Sequence, residues 1–135
     1  MRQIFVHQYC TRYFKDFCIR TFCNEAIFFW LDVENYKNLP GSQYMKRIAL
    51  KIYRKYIQDE AFLQINISSN VRADISRKIT DPSRFIFNKA QDEIFKLMET
   101  DSFPKFLLSK EYEIMSQSFE NEEKLHQNKL NSIKK

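Results

Sequence analysis

The sequence predicts an all-α fold, and three observations carry that expectation. The chain of 135 residues holds one glycine and only three prolines, Pro40, Pro82 and Pro104, so few breakers interrupt it. Apolar residues recur three or four apart along most of its length, the spacing that lines one face of a helix. Thirteen phenylalanines and seven tyrosines supply large apolar surfaces, and this length suits one domain around one core.

The elements follow in order. Tyr9, Tyr13, Phe14, Phe17 and Cys18 fall at helical spacing and define a first helix. Asn24 is expected to cap a second helix that runs through Tyr36 and stops at the loop signal Asn38-Leu39-Pro40-Gly41-Ser42. Met45, Ile48, Ala49, Ile52, Tyr53, Tyr56 and Ile57 form the cleanest amphipathic stripe in the chain. A short helical turn is expected over Asp59 to Leu63, then a polar loop over Asn66 to Asn70. The next helix carries Val71, Ile75 and Ile79 and ends at Thr80-Asp81-Pro82-Ser83. A long helix follows to Glu99, with Phe87, Ala90, Ile94, Leu97 and Met98 on one face. Asp101 and Ser102 are then expected to cap a short new helix with Pro104 in its first turn, and a final helix starts near Lys110. After Met115 apolar residues thin out, so residues 116–135 read as a polar extension, helical or disordered, beyond a domain over residues 1–115.

Composition excludes several function classes. No apolar run approaches a membrane span; the densest, Ala26 to Leu31, is short and meets Asp32. The first seven residues make a poor signal peptide. Cys10, Cys18 and Cys23 cannot all pair, which suits reduced thiols in an intracellular protein, and His7 and His126 stand too isolated for a metal site. The net charge of +5 comes from 22 basic residues mostly interleaved with 17 acidic ones, without an aromatic-basic motif of a nucleic-acid reader. One glycine cannot build a phosphate-cradling loop, and no nucleophile–base–acid set is visible. No cofactor is therefore expected.

Three segments carry more specific information: EAIFFWLDVENYK from Glu25 to Lys37, INISSNVR from Ile65 to Arg72, and IFKLMETDSFPKFLLSKEY from Ile94 to Tyr112. In this order and at these separations they resemble the RGS domain, the regulator-of-G-protein-signalling module. The match runs from about Phe14 to Tyr112. The resemblance implies about nine helices in two lobes, one of them an antiparallel four-helix bundle. It implies a GTPase-activating regulator without an active site of its own, which docks on an activated Gα subunit and ends signalling. An RGS-like scaffold that docks a partner without accelerating hydrolysis is the alternative reading.

Carried over residue by residue, the resemblance places Phe22, Glu25, Asn66, Arg72, Leu97, Asp101, Ser102 and Lys105 at the Gα interface. Asn66 is the asparagine expected beside the glutamine that orients attacking water; an amide both donates and accepts there without charge. Lys105 stands where many members carry arginine, which keeps the charge and loses the planar fork. Ala26 stands where strong activators usually carry Asn or Ser. Glu25, Asp101 and Ser102 are also residue types that simply cap helices. Trp30, in the middle of the aromatic helix, reads as core. Asn66-Ile67-Ser68 matches a glycosylation acceptor, which is fortuitous in a chain without a secretory signal.

Lys46, Arg47, Lys51, Arg54 and Lys55 place five positive charges in ten residues without an acid. Most fall opposite the apolar stripe, which reads either as a solvated face or as attraction to an anionic membrane surface. Lys37, at the end of the preceding helix, is expected close to that surface. On the second reading the protein is cytoplasmic and recruited to the inner face of the plasma membrane.

Overall fold

The structure is a computed structural model that describes Met1, Phe5 and residues 7–134. The described residues form helices and turns, with no strand among them. In chain order the helices are α1 (Gln8–Arg20), α2 (Asn24–Lys37), α3 (Met45–Ile52), α4 (Ser69–Lys78), α5 (Asn88–Leu97), α6 (Phe103–Leu107) and α7 (Lys110–Ile133). Wide π-helical turns, Tyr53–Ile57 and Met98–Ser102, continue α3 and α5. Seven helices and two wide turns stand among the described residues, where the resemblance implies about nine helices.

α1 buries Cys10, Phe14, Phe17 and Cys18 and ends in a Schellman motif. The Cys23 N–H donates to Cys18 O at 2.9 Å and the Phe22 N–H donates to Ile19 O at 3.2 Å, with Phe22 left-handed at φ 59°. This reversal delivers the chain directly into α2. Cys23, not Asn24, therefore occupies the cap position, no side chain caps α2, and Asn24 is its first helical residue. Ile27, Phe29, Val33 and Tyr36 of α2 are buried, and Trp30 packs partly buried against the core as expected.

α3 and its π turn bury Met45, Ala49, Ile52, Tyr56 and Ile57, most of the stripe read from the sequence. The wide turn closes with the Gln58 N–H on Tyr53 O at 3.0 Å. Each tyrosine hydroxyl finds a polar partner: Tyr56 donates to Asp32 Oδ2 at 2.5 Å, and Tyr53 pairs with Ser76 Oγ at 3.0 Å. The helical turn expected over Asp59 to Leu63 does not form. Glu60 sits at φ 61°, which breaks any right-handed helix, and hydrogen-bonded turns replace it.

α5 buries Ala90, Gln91, Ile94 and Phe95, and Met98 follows in the π turn. Leu97 is 39% exposed, so it leaves the buried stripe, and Phe95 takes its place inside. The expected corner at Asp101-Ser102 is absent. Helical backbone continues through Met98–Ser102 into α6, and Ser102 caps nothing. Pro104 explains the wide turn: in an unbroken α-helix its ring would meet the carbonyl four residues back. Ser109 then caps α7, accepting from the Tyr112 N–H at 3.2 Å. α7 passes position 115 without a break; Met115 is buried, Phe119 packs against the core, and every described residue from Glu120 onward is exposed.

α2 packs on α1, α3 and α5, and α5 packs on α4. α1, α6 and α7 pack on one another around Phe14, Phe17 and Phe106. A charge-assisted fork joins the end of α1 to the start of α7: Arg20 Nη2 donates to Glu111 Oε2 at 3.0 Å, and Arg20 Nε donates to the other oxygen. The guanidinium holds the Glu111 carboxyl below the usual carboxylate range. No helix among the described residues is long and apolar enough to cross a membrane.

Candidate functional site

Three segments distant in the chain meet around a shallow depression of about 180 Å³. The start of α2 contributes Cys23, Glu25 and Ala26; the loop before α4 contributes Asn66; α5 and its π turn contribute Ile94, Leu97, Met98, Asp101 and Ser102. Five of the eight residues expected at the partner interface are thus side by side. The floor is apolar and the rim holds two carboxylates, an amide and a hydroxyl. No nucleophile–base pair lies here, and no group of histidines, cysteines and carboxylates fit for a metal occurs among the described residues.

The loop that presents Asn66 is anchored on both sides. Ile65 and Ile67 are buried, so the residue between them turns outward. Arg72 donates to Ile57 O, and through Nη2 to Ile65 O at 2.8 Å, bracketing the loop. Ser68 binds the Glu93 carboxylate through its N–H at 2.8 Å and its hydroxyl at 2.7 Å. The Asn66 side chain is exposed and makes no hydrogen bond to another described residue.

Of the eight, Arg72, Lys105 and Phe22 do not line the depression, and Ser102 lines it nearly buried. Arg72 does not line the depression; it faces a separate hollow with Tyr53, Gln58, Asp59 and Ser76, and two backbone carbonyls occupy its guanidinium. Ser102 lines the depression but is only 9% exposed, because the π turn carries it inward. Lys105 lies one turn beyond Asp101 and pairs with its Oδ1 at 3.0 Å; both side chains are about two-thirds exposed (69% and 67%), so the pair is weak and free to exchange partners. Phe22, 92% exposed beside Cys23, projects from the Schellman turn. A bulky residue at positive φ is strained, and such strain clusters at functional surfaces. Burial, more than the neighbouring Cys23 and Glu25, pushes the Cys18 thiol up, so it stays protonated beneath this turn.

Sequence reasoning missed Glu93 and Cys23. Glu93 lies one helical turn before Leu97, and Ser68 opens a helix as its cap, so a carboxylate answering that cap was the available signal. Nothing in the sequence marks Cys23 apart from its place before α2.

Lys46, Arg47, Lys51, Arg54 and Lys55 are all exposed. Four of them, Arg47, Lys51, Arg54 and Lys55, surround an open hollow of about 540 Å³ with Ile48 and Leu50. Lys55 also reaches Asp32 at 3.6 Å, and Arg47 lies over the Tyr44 ring at 5.4 Å. Lys37 is tied to Glu34 at 3.0 Å and to Gln91 at 2.9 Å.

The described residues thus form a helical domain with a small, polar-rimmed apolar depression on its surface. The family model described as "Regulator of G protein signaling domain" matches residues 1–115. The chain is 41% identical over 96 residues to "Regulator of G-protein signaling 1" of Xenopus laevis, covering 71% of this chain and 48% of that protein. It is 34% identical over 100 residues to "Regulator of G-protein signaling 8" of Danio rerio, covering 74% of this chain and 58% of that protein. The chain belongs to the regulator of G protein signaling domain family. It spans about half the length of the curated relatives it matches.

Proposed function

We propose that this domain binds the activated α subunit of a heterotrimeric G protein and accelerates its GTP hydrolysis. The observation that carries this reading is the gathering of Glu25, Asn66, Leu97, Asp101 and Ser102 around one depression. Gα brings its own arginine, glutamine and Mg²⁺, so the domain donates no catalytic base. It acts by binding the switch segments best in the form they take in the transition state. Only that differential binding speeds the chemistry, and about 2.7 kcal/mol of it gives a roughly hundredfold effect. Asn66 orients the glutamine of Gα, the carboxylates of Glu25 and Asp101 meet donors on the switch segments, and Leu97 and the floor give apolar contact. Exposed Phe22 and Lys105 extend the contact, while Arg72 supports the loop from behind. In the family arrangement, α2, α3, α4 and α5 form the antiparallel four-helix bundle, α1, α6 and α7 the other lobe, and residues 116–135 a helical extension.

The test is single-turnover GTP hydrolysis across a panel of Gα subunits, paired with binding. The domain is expected to prefer Gα carrying GDP, Mg²⁺ and a planar phosphate mimic over Gα with GDP alone. Equal affinity for both states across the panel would leave the scaffold as the function. One observation favours that second reading: Ala26 contributes only a methyl group to the depression, where a side chain that could hydrogen-bond the partner is expected.

Ala26→Asn is therefore expected to raise the hydrolysis rate of a responsive Gα by a few-fold. Ala26 is partly exposed at an open depression, so the amide enters without disturbing Ile27 or Phe29 beneath. A rate unchanged or lowered in a folded variant counts against a missing contact at this position.

We read the basic face of α3 as a site of attraction to anionic lipid, which places the protein in the cytoplasm with recruitment to the inner face of the plasma membrane. Each basic residue near such a surface contributes about 1 kcal/mol. Binding to vesicles containing phosphatidylserine is expected to weaken with salt, and to fall at least tenfold in the Lys51→Glu, Lys55→Glu double variant. Indifference to both changes would leave a solvated face.

A further inference from the structure

We propose that Glu93 is a positioning residue that sets the Asn66 loop against α5. The inference rests on the reading of the depression as the Gα-docking face. Glu93 uses both carboxylate oxygens on one residue: Oε2 accepts the Ser68 N–H at 2.8 Å and Oε1 accepts the Ser68 hydroxyl at 2.7 Å. The same hydroxyl accepts the Val71 N–H at 3.4 Å, so the carboxylate closes a chain of bonds at the positive end of α4. Ser68 lies two residues after Asn66, and Glu93 lies one turn before Leu97 on α5. The latch therefore connects the loop carrying the amide directly to the helix carrying Leu97, which continues to Asp101 and Ser102. Arg72 fixes the other side of the loop, at Ile57 and Ile65, through bonds that leave α5 uninvolved. Of these side-chain anchors, only Glu93 sets the separation between the amide and the α5 side of the depression.

A small misplacement of a positioning group is costly in catalysis. Glu93→Ala keeps the buried Ile65 and Ile67 and the Arg72 bracket, so the loop stays attached but loses its register. Acceleration measured at saturating domain is expected to drop about tenfold, with a smaller change in the domain concentration giving half-maximal effect. Glu93→Gln keeps one acceptor and is expected to fall between the variant and the parent.

The decisive measurement is a double-variant comparison in single-turnover hydrolysis. If Glu93 acts through Asn66, Glu93→Ala adds nothing once Asn66→Ala is present, while Leu97→Ala keeps its full effect in the Glu93→Ala background. Independent, multiplying effects of Glu93→Ala and Asn66→Ala in folded proteins overturn the proposal. A second measurement needs no G protein. Amide hydrogen exchange at Ser68 is expected to be at least tenfold faster in Glu93→Ala, with Ile75 unchanged, and unaltered exchange at Ser68 overturns the latch. If the parent domain accelerates no Gα, the activator reading fails, while the exchange experiment still decides whether Glu93 holds the loop.

Discussion

Asn66→Ala is expected to lower the acceleration of GTP hydrolysis by roughly ten- to a hundredfold and leave the fold intact. Losing a polar contact and stranding its partner at an interface costs about 1–3 kcal/mol. The fold is expected to change by less than about 0.5 kcal/mol, because the exposed Asn66 amide bonds to no other described residue. The anchors on either side, Arg72 to Ile65 O and Ser68 to Glu93, use atoms the substitution does not remove. Circular dichroism and single-turnover hydrolysis together give the answer. Unchanged acceleration in a folded variant would place the interface elsewhere. The loss should exceed the gain from Ala26→Asn, since that interface has adjusted to a methyl group.

Phe106→Ala carries the largest expected effect on stability, a loss of about 3–5 kcal/mol. The Phe106 ring is fully buried, at 0% exposure, and packs at 5.2 Å from Phe14, 5.6 Å from Phe17 and 5.5 Å from Tyr112. It is the point where α1, α6 and α7 meet. Domains are stable by about 5–15 kcal/mol, so this change removes a large share of the total. The matched control is Leu108→Ala, two residues on and 92% exposed, which is expected to cost less than about 0.5 kcal/mol. Urea midpoints for the two variants test the pair, and a small shift for Phe106→Ala would deny that this ring organises the terminal helices.

The helical stripes were legible because burial imposes a period that the chain must obey. The α3 stripe from Met45 to Ile57 reads the same in sequence and structure except for degrees of exposure at Ile48 and Tyr53. The depression was legible only through resemblance, since nothing in the spacing brings Glu25, Asn66 and Asp101 together. Local signals failed where tertiary geometry overrode them. Asn24, Asp101 and Ser102 have capping side chains, yet a cap functions only where a helix begins, and the backbone chose otherwise. Glu60 adopts a left-handed turn that its residue type does not announce. Arg72, expected at the interface through the resemblance, has its guanidinium on two backbone carbonyls, which no sequence pattern announces. The π turn at Tyr53–Ile57 left no mark, since only the hydrogen-bond partner changes there, whereas Pro104 stands behind the one at Met98–Ser102.

Those turns extend into helices the tolerance of length usually found in loops. A π turn carries one residue more than the α-helix it interrupts, and each residue advances a helix by about 100°. Narrowing Met98–Ser102 to an ordinary α-helical turn while keeping all its residues would put the chain beyond it out of phase. Everything downstream would then rotate by about that angle, carrying Phe106 away from Phe14 and Phe17. Loops absorb single-residue insertions and deletions readily. In this domain the wide turn between Met98 and Ser102 does the same inside a helix: it takes up one residue and keeps Phe106 in phase with Phe14 and Phe17.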